Sequence, residues 1–194
     1  GWVNCTGPRA CYDEGKRAAE TLTFDFARGG RADVRVARIF NTYGPHMRMD
    51  DGRVMSNFIC QALAGEQLTI YGDGSQTRSF CYVEDTVDAL VRLMEADLPE
   101  PLPVNIGNCH ELTIAELVET LARVVEEPIR IAHRPLPTDD PQRRRPDIAK
   151  AREWLGWEPR TSLLAGLRKT YAWFAAEHRE QAAPRVPVRV SVAG

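Results

Sequence analysis

The sequence predicts an α/β fold, because segments with the apolar period of a helix alternate with short segments rich in β-branched residues. Residues 12–28 place apolar side chains, among them Leu22 and Phe26, at spacings of three and four, which predicts a helix with one buried stripe. The next segment, 33–40, has the sequence DVRVARIF and ends at an Asn-Thr-Tyr-Gly-Pro turn, which is typical of a strand. A helix followed closely by a strand indicates an α/β layer.

Five further elements are predicted after a loop through Gly52. They are a helix at 54–65, strands at 68–72 and 78–83, a helix at 85–96 and a strand at 103–108. The helix at 85–96 carries its apolar side chains on one face: Val87, Leu90, Val91 and Met94. The Gly-Asp-Gly sequence within 72–77 predicts a hairpin turn between the two strands that flank it.

The last third of the chain is predicted to be mainly helical. Thr113 and Glu116 form the sequence pattern of a capping box, which predicts the start of a helix over 114–126. A strand at 129–133, a proline-framed basic loop at 134–147, a short helix at 148–155, a last helix at 162–178 and a frayed or extended tail at 181–194 follow.

Composition and charge exclude several classes of function. The 194 residues are 43% hydrophobic and 27% charged, with a formal net charge of −2, so no electrostatic excess favours nucleic acid or an anionic membrane. No stretch approaches the length of a membrane span, and we expect a cytoplasmic chain. The five cysteines include no CxxC pair and no histidine at zinc-site spacing, which favours reduced thiols and no metal.

A tyrosine and a lysine, Tyr12 and Lys16, form the first motif that could carry chemistry. Their spacing of four places them on one helix face, about one turn apart. A nearby ammonium favours the deprotonated phenol, which can then take a proton from a sugar hydroxyl. The pair alone is a weak signal, because tyrosine and lysine share this spacing by chance in many helices.

Five segments in order make the motif far more specific. They are GPRACYDEGKRAAE, VRVARIFNTYGP, DDGRVMSNFICQAL, LTIYGDGSQTRSFCYVED and DDPQRRRPDIAKAREWLGWEP. Over roughly residues 1–175 the chain resembles the extended short-chain dehydrogenase/reductases, and most closely the UDP-glucuronate decarboxylases, also called UDP-xylose synthases. The resemblance implies a Rossmann-like fold whose carboxyl-terminal part is present here together with a smaller mixed α/β substrate domain.

The resemblance also implies roles for individual residues. Tyr12 and Lys16 match the catalytic tyrosine and the lysine that assists it and binds the nicotinamide ribose, while Arg144 matches the arginine that approaches the substrate. The residues implied to contact the NAD cofactor are Tyr12, Lys16, Thr42, Arg48 and Arg53. The residues implied to contact the nucleotide sugar are Asn41, Val54, Asn57, Thr69, Tyr71, Arg78 and Arg144.

Two of these assignments keep an alternative. Arg48 and Arg53 are equally well explained as solvated loop charges, and for Arg48 the order His-Met-Arg-Met at 46–49 also departs from the family pattern. In the run from Arg143 to Arg145, we favour Arg144 as the residue that faces the substrate.

The implied reaction is the NAD-dependent conversion of UDP-glucuronate to UDP-xylose through a 4-keto intermediate that loses CO2. Residues 1–45 are then the last helix and strand of the NAD-binding domain, 46–180 mainly the substrate domain with returning sheet strands, and 181–194 the tail. A homodimer is implied as well, in which the helix with Tyr12 packs against its copy, although burial within one subunit explains Leu22 and Phe26 equally well.

A glycine-rich dinucleotide fingerprint occurs nowhere in the sequence, and the chain begins at Gly1 without a regular element. We therefore expect the carboxyl-terminal half of a longer enzyme, with an exposed apolar edge where further strands would pair. Two alternatives stay open. One is a nucleotide-sugar epimerase or 4,6-dehydratase, and the other is a non-catalytic fragment that lacks the cofactor site.

Overall fold

A computed structural model describes residues 4–8, 10–136 and 143–182, with the side chains of Arg143, Arg144 and Ala182 left out. The predicted tail lies outside the described residues from position 183 onward. Six helices are described: α1 (Ala10–Arg28), α2 (Val54–Leu63), α3 (Val83–Glu95), α4 (Ile114–Ala122), α5 (Ala149–Leu155) and α6 (Leu163–Ala182).

Short strands connect these helices. In chain order they are β1 (Ala37–Ile39), β2 (Thr42–Tyr43), β3 (Leu68–Tyr71), β4 (Thr77–Arg78), β5 (Cys81–Tyr82), β6 (Val104–Ile106), β7 (Leu112–Thr113), β8 (Ile131–Arg134) and β9 (Arg143–Arg144). The described strands pair as β1 with β6, β2 with β5 and β3 with β8, all parallel, and as a three-stranded sheet in the order β7-β4-β9. Parallel pairs joined through helices confirm the predicted α/β class.

Two apolar clusters form the core. The first packs α2, α4 and α6 together and includes Phe58, Leu117 and Phe174. The second packs α3 and α5 against β1 and β6 and includes Val104 and Trp157. Residues of the first cluster, among them Phe58, also line a cavity of about 680 Å³, so the core shapes the candidate site.

The capping box at the start of α4 is confirmed. The Thr113 side chain accepts a hydrogen bond from the Glu116 amide at 3.1 Å, and the Glu116 carboxylate accepts one from the Thr113 amide at 2.7 Å. Each residue satisfies a backbone donor that the first helical turn leaves unpaired.

The prediction for residues 72–83 was wrong in its pairing. Strands β3 and β4 do not pair with each other, so 72–77 is a connection between two sheets and not a hairpin turn. The predicted strand at 78–83 is divided between β4 and β5, which lie in different sheets, and α3 begins already at Val83. Local sequence cannot reveal this division, because pairing depends on partners far along the chain.

Three connecting segments also differ from prediction. The strand expected at 33–40 is reduced to β1, and the expected turn after it contains β2, which pairs with β5. The basic loop predicted at 134–147 contains β9, because Arg143 and Arg144 extend the sheet of β4. A two-residue strand carries too little apolar pattern to be recognised in a proline-rich segment.

Two predicted apolar faces are exposed in the described chain. Helix α1 has no buried residue, and Leu22 is 68% exposed. Burial within the described residues therefore does not explain the row of apolar side chains on α1. Helix α3 buries Ala89 and Leu93 and leaves Val87 and Met94 exposed. On β1, Ile39 is more than half exposed, and pairing of further strands at this edge stays a prediction.

Within the described ranges, no helix combines the length and apolar character needed to cross a membrane.

Candidate functional site

A cavity of about 680 Å³ lies between α2, β3 and the segment that leads from β2 into α2. Eight of the predicted site residues line it: Asn41, Thr42, Arg53, Val54, Asn57, Thr69, Tyr71 and Arg78. The family resemblance assigned these residues to nucleotide-sugar and cofactor contacts, and the fold brings them to one concave surface. The cavity is therefore our candidate site.

Helix α2 supplies one wall of the cavity. Val54, Asn57 and Gln61 follow each other at spacings of three and four, so their side chains share one face of the helix. The Asn57 amide group donates to the Gly52 carbonyl at 3.1 Å, which ties the helix to the loop before it. Sequence reasoning missed Gln61, although its helical phase with Asn57 was the signal that could have found it.

Arg53 is held at the cavity by Asp51. The Asp51 carboxylate accepts hydrogen bonds from the Arg53 amide at 2.9 Å and from its guanidinium Nε at 2.6 Å, and a third from the Ser56 hydroxyl at 3.1 Å. Burial by itself raises the pKa of Asp51, but these donors outweigh it and hold the pKa below its usual value. The Arg53 guanidinium also donates to the Thr42 carbonyl at 3.4 Å, so the cation is positioned on two sides.

Arg48 lies outside the cavity lining. Its side chain is 79% exposed, and both of its interacting nitrogens donate to Asp50, at 2.8 and 2.9 Å. Within the described residues, Arg48 is therefore positioned as a solvated loop charge, which is the alternative given in the sequence analysis. Its contact with a cofactor stays a prediction.

Arg78 is the most buried cation of the site, at 9% exposed. It lies on β4 and lines the cavity, while its Nη1 donates to the Thr77 carbonyl at 2.7 Å. In the parallel pairing of β4 with β9, Arg78 stands opposite Arg144. This register places the backbone of Arg144 beside that of Arg78.

The neighbouring Arg145 belongs to a different surface. Its guanidinium lies 3.9 Å from the Glu111 carboxylate, and its side chain lines a second cavity with Cys109 and Arg152. The same Glu111 carboxylate accepts a hydrogen bond from the Thr77 hydroxyl at 3.0 Å. Glu111 thus links β4 to Arg145, the residue that follows β9. Arg145 does not line the cavity that Arg78 lines.

Strand β3 presents one edge to the cavity. The amides of Leu68 and Gly72 bond to carbonyls on the β8 side, so the backbone groups of Thr69 and Tyr71 point to the opposite edge. On that edge Gln61 Oε1 accepts the Thr69 amide at 3.0 Å, and Gln76 Nε2 donates to the Tyr71 carbonyl at 2.7 Å. Two further backbone groups lie between these two contacts along the strand: the Thr69 carbonyl and the Tyr71 amide.

Tyr12 and Lys16 lie on one face of α1, as their spacing predicts. The Lys16 ammonium is 5.6 Å from the centre of the Tyr12 ring, and Tyr12 is 62% exposed. Neither residue lines the cavity described above. A contact that ties α1 to the sheet is the ion pair of Glu20 with Arg38 on β1, with Nε 2.8 Å from a carboxylate oxygen.

All five cysteines are free, and the described residues contain no group of three His, Cys, Asp or Glu side chains that could hold a metal ion.

The sequence profile of the NAD dependent epimerase/dehydratase family matches residues 3–107, which is more than half of the chain. The chain belongs to this family. Among curated members of this family, it is 57% identical over 167 residues to UDP-glucuronic acid decarboxylase 5 of Arabidopsis thaliana, covering 86% of this chain and 48% of that protein. It is 54% identical over 182 residues to UDP-glucuronic acid decarboxylase 1 of Danio rerio, covering 94% of this chain and 43% of the relative.

Solved structures of this family show the same fold. UDP-glucuronic acid 4-epimerase from Bacillus cereus, in complex with UDP-glucuronic acid and NAD, matches with a TM-score of 0.80 at 26% identity, covering 91% of this chain and 57% of that one. UDP-glucose 4-epimerase from Thermotoga maritima, with UDP-glucose, matches with a TM-score of 0.76 at 31% identity, covering 87% and 53%. This epimerase/dehydratase chain spans about half the length of the curated relatives it matches.

Proposed function

We propose that this chain is the nucleotide-sugar-binding part of an NAD-dependent enzyme that decarboxylates UDP-glucuronate to UDP-xylose through a 4-keto intermediate. The observation that carries the proposal is the cavity, which gathers the residues that the decarboxylase resemblance assigned to the nucleotide sugar. The identity of 57% and 54% to proteins named UDP-glucuronic acid decarboxylase supports the choice of reaction.

The diphosphate of the nucleotide sugar is bound by arginines that come from separate segments. Arg78 supplies a nearly buried guanidinium from β4, and Arg53 supplies a second one from the segment before α2. Arg144 stands beside Arg78 in the backbone register and adds a third. Planar guanidinium groups suit this task because each can donate two parallel hydrogen bonds to phosphate oxygens.

The uracil base lies against the free edge of β3. A uracil ring carries an N–H donor beside a carbonyl acceptor, and the edge offers the Thr69 carbonyl beside the Tyr71 amide. The two pairs of groups are complementary. Tyr71, which lines the cavity, supplies apolar ring surface next to them.

Tyr12 and Lys16 act on the reacting hydroxyl and on the cofactor. Their exposed, adjacent positions on α1 fit a pair that is covered by a bound group: the ammonium stabilises the phenolate, and the phenol oxygen takes the hydroxyl proton. Bound NAD supplies the hydride acceptor and later the hydride donor. Thr42 lines the cavity, and its hydroxyl hydrogen-bonds to Thr86 at 3.1 Å and donates to the Phe40 carbonyl at 3.0 Å.

A second candidate function is epimerisation at carbon 4 of a UDP-sugar. It is favoured by the two solved neighbours described above, both of which are named 4-epimerases, at 26% and 31% identity. The lower identity of these epimerases makes this the weaker candidate. A non-catalytic fragment is the remaining alternative, because no glycine-rich fingerprint occurs in the 194 residues.

The quaternary state and location belong to the same proposal. We propose a cytoplasmic homodimer in which α1 packs against its copy, because Leu22 and Phe26 place apolar surface on the outside of this helix. Substitution of Leu22 by Arg is then expected to shift the sedimentation coefficient of the full-length protein toward that of a monomer. An unchanged coefficient would contradict the dimer.

The decisive experiment for the reaction is a product assay on the full-length protein. UDP-glucuronate, UDP-glucose and UDP-galacturonate are incubated separately with NAD, and released CO2 and the nucleotide products are measured. Release of CO2 together with UDP-xylose from UDP-glucuronate is expected. Interconversion of two sugars without CO2 would support the epimerase, and no turnover would support the non-catalytic fragment.

A further inference from the structure

Glu111 contacts the face of β4 that points away from the cavity. Successive side chains of a strand point to opposite faces, and Gln76 and Arg78 line the cavity while Thr77 between them does not. The Thr77 hydroxyl donates to the Glu111 carboxylate at 3.0 Å. Glu111 does not line the cavity and its side chain is 15% exposed, so a ligand in the cavity is not expected to contact this carboxylate.

The two carboxylate oxygens of Glu111 have partners on different strands. Oε1 accepts the hydroxyl of Thr77 on β4, and Oε2 lies 3.9 Å from Nη1 of Arg145, the residue after β9. Glu111 itself directly precedes β7, on the other side of β4 in the sheet β7-β4-β9. One carboxylate therefore connects all three strands of this sheet.

The segment that contains β9 is attached to the fold at three successive places. Its backbone pairs with β4 over two residues only. Further along, the Asn105 side chain donates to the Asp147 carbonyl at 2.8 Å, and the Asp147 carboxylate accepts the amide of Ala149, the first residue of α5, at 2.9 Å. Arg145 lies between these two attachments, so its contact with Glu111 fixes the middle of the segment.

Positive charges meet where β9 joins β4. Arg78 stands opposite Arg144 in the register, and Arg145 adds a further positive charge directly after the strand. Like charges on neighbouring strands repel each other, which favours separation of β9 from β4 when no anion is bound. The Glu111 carboxylate supplies a negative charge from outside the cavity and so offsets this repulsion without occupying the space for a ligand.

We propose that Glu111 is a positioning residue, which holds the β9 segment through Arg145 so that Arg144 stands beside Arg78 before a nucleotide diphosphate binds. This role deepens the proposed function and rests on it. A site that is arranged in advance binds its ligand more tightly, because fewer groups must be ordered on binding. Glu111 thereby favours the binding of an anion although its own charge is negative.

Substitution of Glu111 by Gln separates positioning from a simple effect of charge. Glu111→Gln keeps an oxygen for the Thr77 hydroxyl but places an amide donor where an oxygen faced Arg145. If Glu111 acted only as a negative charge near the site, its neutralisation would tighten UDP binding. The positioning role predicts the opposite, so the affinity of the full-length protein for UDP in calorimetry is expected to fall about fivefold.

Uridine separates positioning from damage to the fold. It carries the base and the ribose but no phosphate, so its affinity in a ligand-observed NMR titration is expected to stay the same in Glu111→Gln. General loss of structure would weaken uridine and UDP alike. Glu158→Gln is the matched control, because Glu158 also pairs with an arginine, Arg152, at 3.3 Å but lies outside the β7-β4-β9 sheet. This control should bind UDP like the wild type.

Arg145 provides a second, independent variant. Its side chain is half-exposed, and Arg145→Gln removes the partner of Glu111 without opening the core. UDP affinity is again expected to fall about fivefold. The double variant should bind UDP no more weakly than either single variant, since both changes remove one and the same contact. Losses that multiply in the double variant would show that the two residues act separately, and would overturn the positioning role.

The remaining outcomes distinguish this role from the function on which it rests. Unchanged or tighter UDP binding by Glu111→Gln, with intact UDP binding by the wild type, overturns the positioning role alone. An equal loss of affinity for uridine and UDP has the same effect. Failure of the wild-type full-length protein to bind UDP contradicts the proposed function as well.

Discussion

The phenol of Tyr12 is the single group on which the proposed proton transfer depends. Its neighbour Lys16 lies on the same face of α1, with the ammonium 5.6 Å from the ring centre. The spacing of four residues was sufficient to predict this arrangement, because helix geometry alone determines it. The relation of Tyr12 to the cavity was not predictable in this way, since it depends on how α1 packs against other elements.

Replacing Tyr12 by Phe in the full-length protein should reduce UDP-xylose formation by about 100-fold or more, because the general base is removed while the ring remains. Steady-state product formation measures the effect. Tyr171→Phe, on α6, is the matched control and should keep its activity. Undiminished activity of Tyr12→Phe would refute the assigned role.

Arg78 offers a second test at this scale. Arg78→Lys keeps the charge but loses the planar pair of donors, so affinity for UDP is expected to fall about tenfold in calorimetry. Arg123→Lys, on an exposed helix end, should bind UDP like the wild type. Equal affinities for the two variants would remove Arg78 from the diphosphate site.

Among the elements, α3 shows where sequence patterns fail. The apolar residues of α3 fall on two overlapping faces. The sequence pattern predicted burial of the face that contains Val87 and Met94. The fold buries the face with Ala89 and Leu93 instead. The sheet and α5 pack against α3 on the side of Ala89 and Leu93, and Leu90 of the predicted face is partly buried against the same cluster.

Neighbouring residues on α3 make this difference measurable. Leu93→Ala is expected to lower the free energy of unfolding by about 2–5 kcal/mol, because it empties space in a packed core. Met94→Ala is expected to change it by no more than about 0.5 kcal/mol, because Met94 is exposed. Urea unfolding followed by circular dichroism compares the two, and the reverse order would contradict the packing described for α3.

The contact of α1 with the sheet through Glu20 and Arg38 should weaken in acid. The hydrogen bond from Arg38 holds the pKa of Glu20 below its ordinary value, so this contact stabilises the folded state above the ordinary carboxyl pKa. The stabilisation is lost as pH falls through the lowered pKa of the folded state. Below about pH 4.5, the exchange rate of the α1 amides is therefore expected to rise relative to that of the α4 amides.

Glu20→Gln is the control for that titration. It removes the ionisable group, so α1 should exchange faster at neutral pH and show no further relative change in acid. A wild-type α1 whose relative exchange is independent of pH would show that the ion pair with Arg38 does not hold the helix.

At the scale of the whole molecule, the proposed functions belong to two separate parts. The cavity is proposed to bind the nucleotide sugar, and α1 carries Tyr12, the proposed base. The cavity is built from residues of the described chain, while α1 buries none of its side chains. We therefore expect the 194-residue chain to bind UDP but to bind NAD weakly or not at all. Calorimetry with each ligand tests this, and micromolar affinity for NAD would overturn it.

Eight cavity residues were predictable because their motifs appear in order along the sequence and match a known family. Gln61 and Gln76, which also line the cavity, were not recognised, because their contacts with β3 depend on which edge of the strand the pairing with β8 occupies. The predicted hairpin at 72–77 failed for the same reason. Local pattern predicts an element, whereas its partner is selected by the complete chain.

Pairing across long distances along the chain also has a consequence for synthesis on the ribosome. Arg78 and Arg144 become neighbours only when β4 and β9 pair, although these strands are roughly 65 residues apart in sequence. A nascent chain emerges amino end first, so the early part can fold while the later strand is still inside the exit tunnel. The two strands can pair only after the residues that separate them have left the tunnel, so the proposed diphosphate site stays incomplete until then.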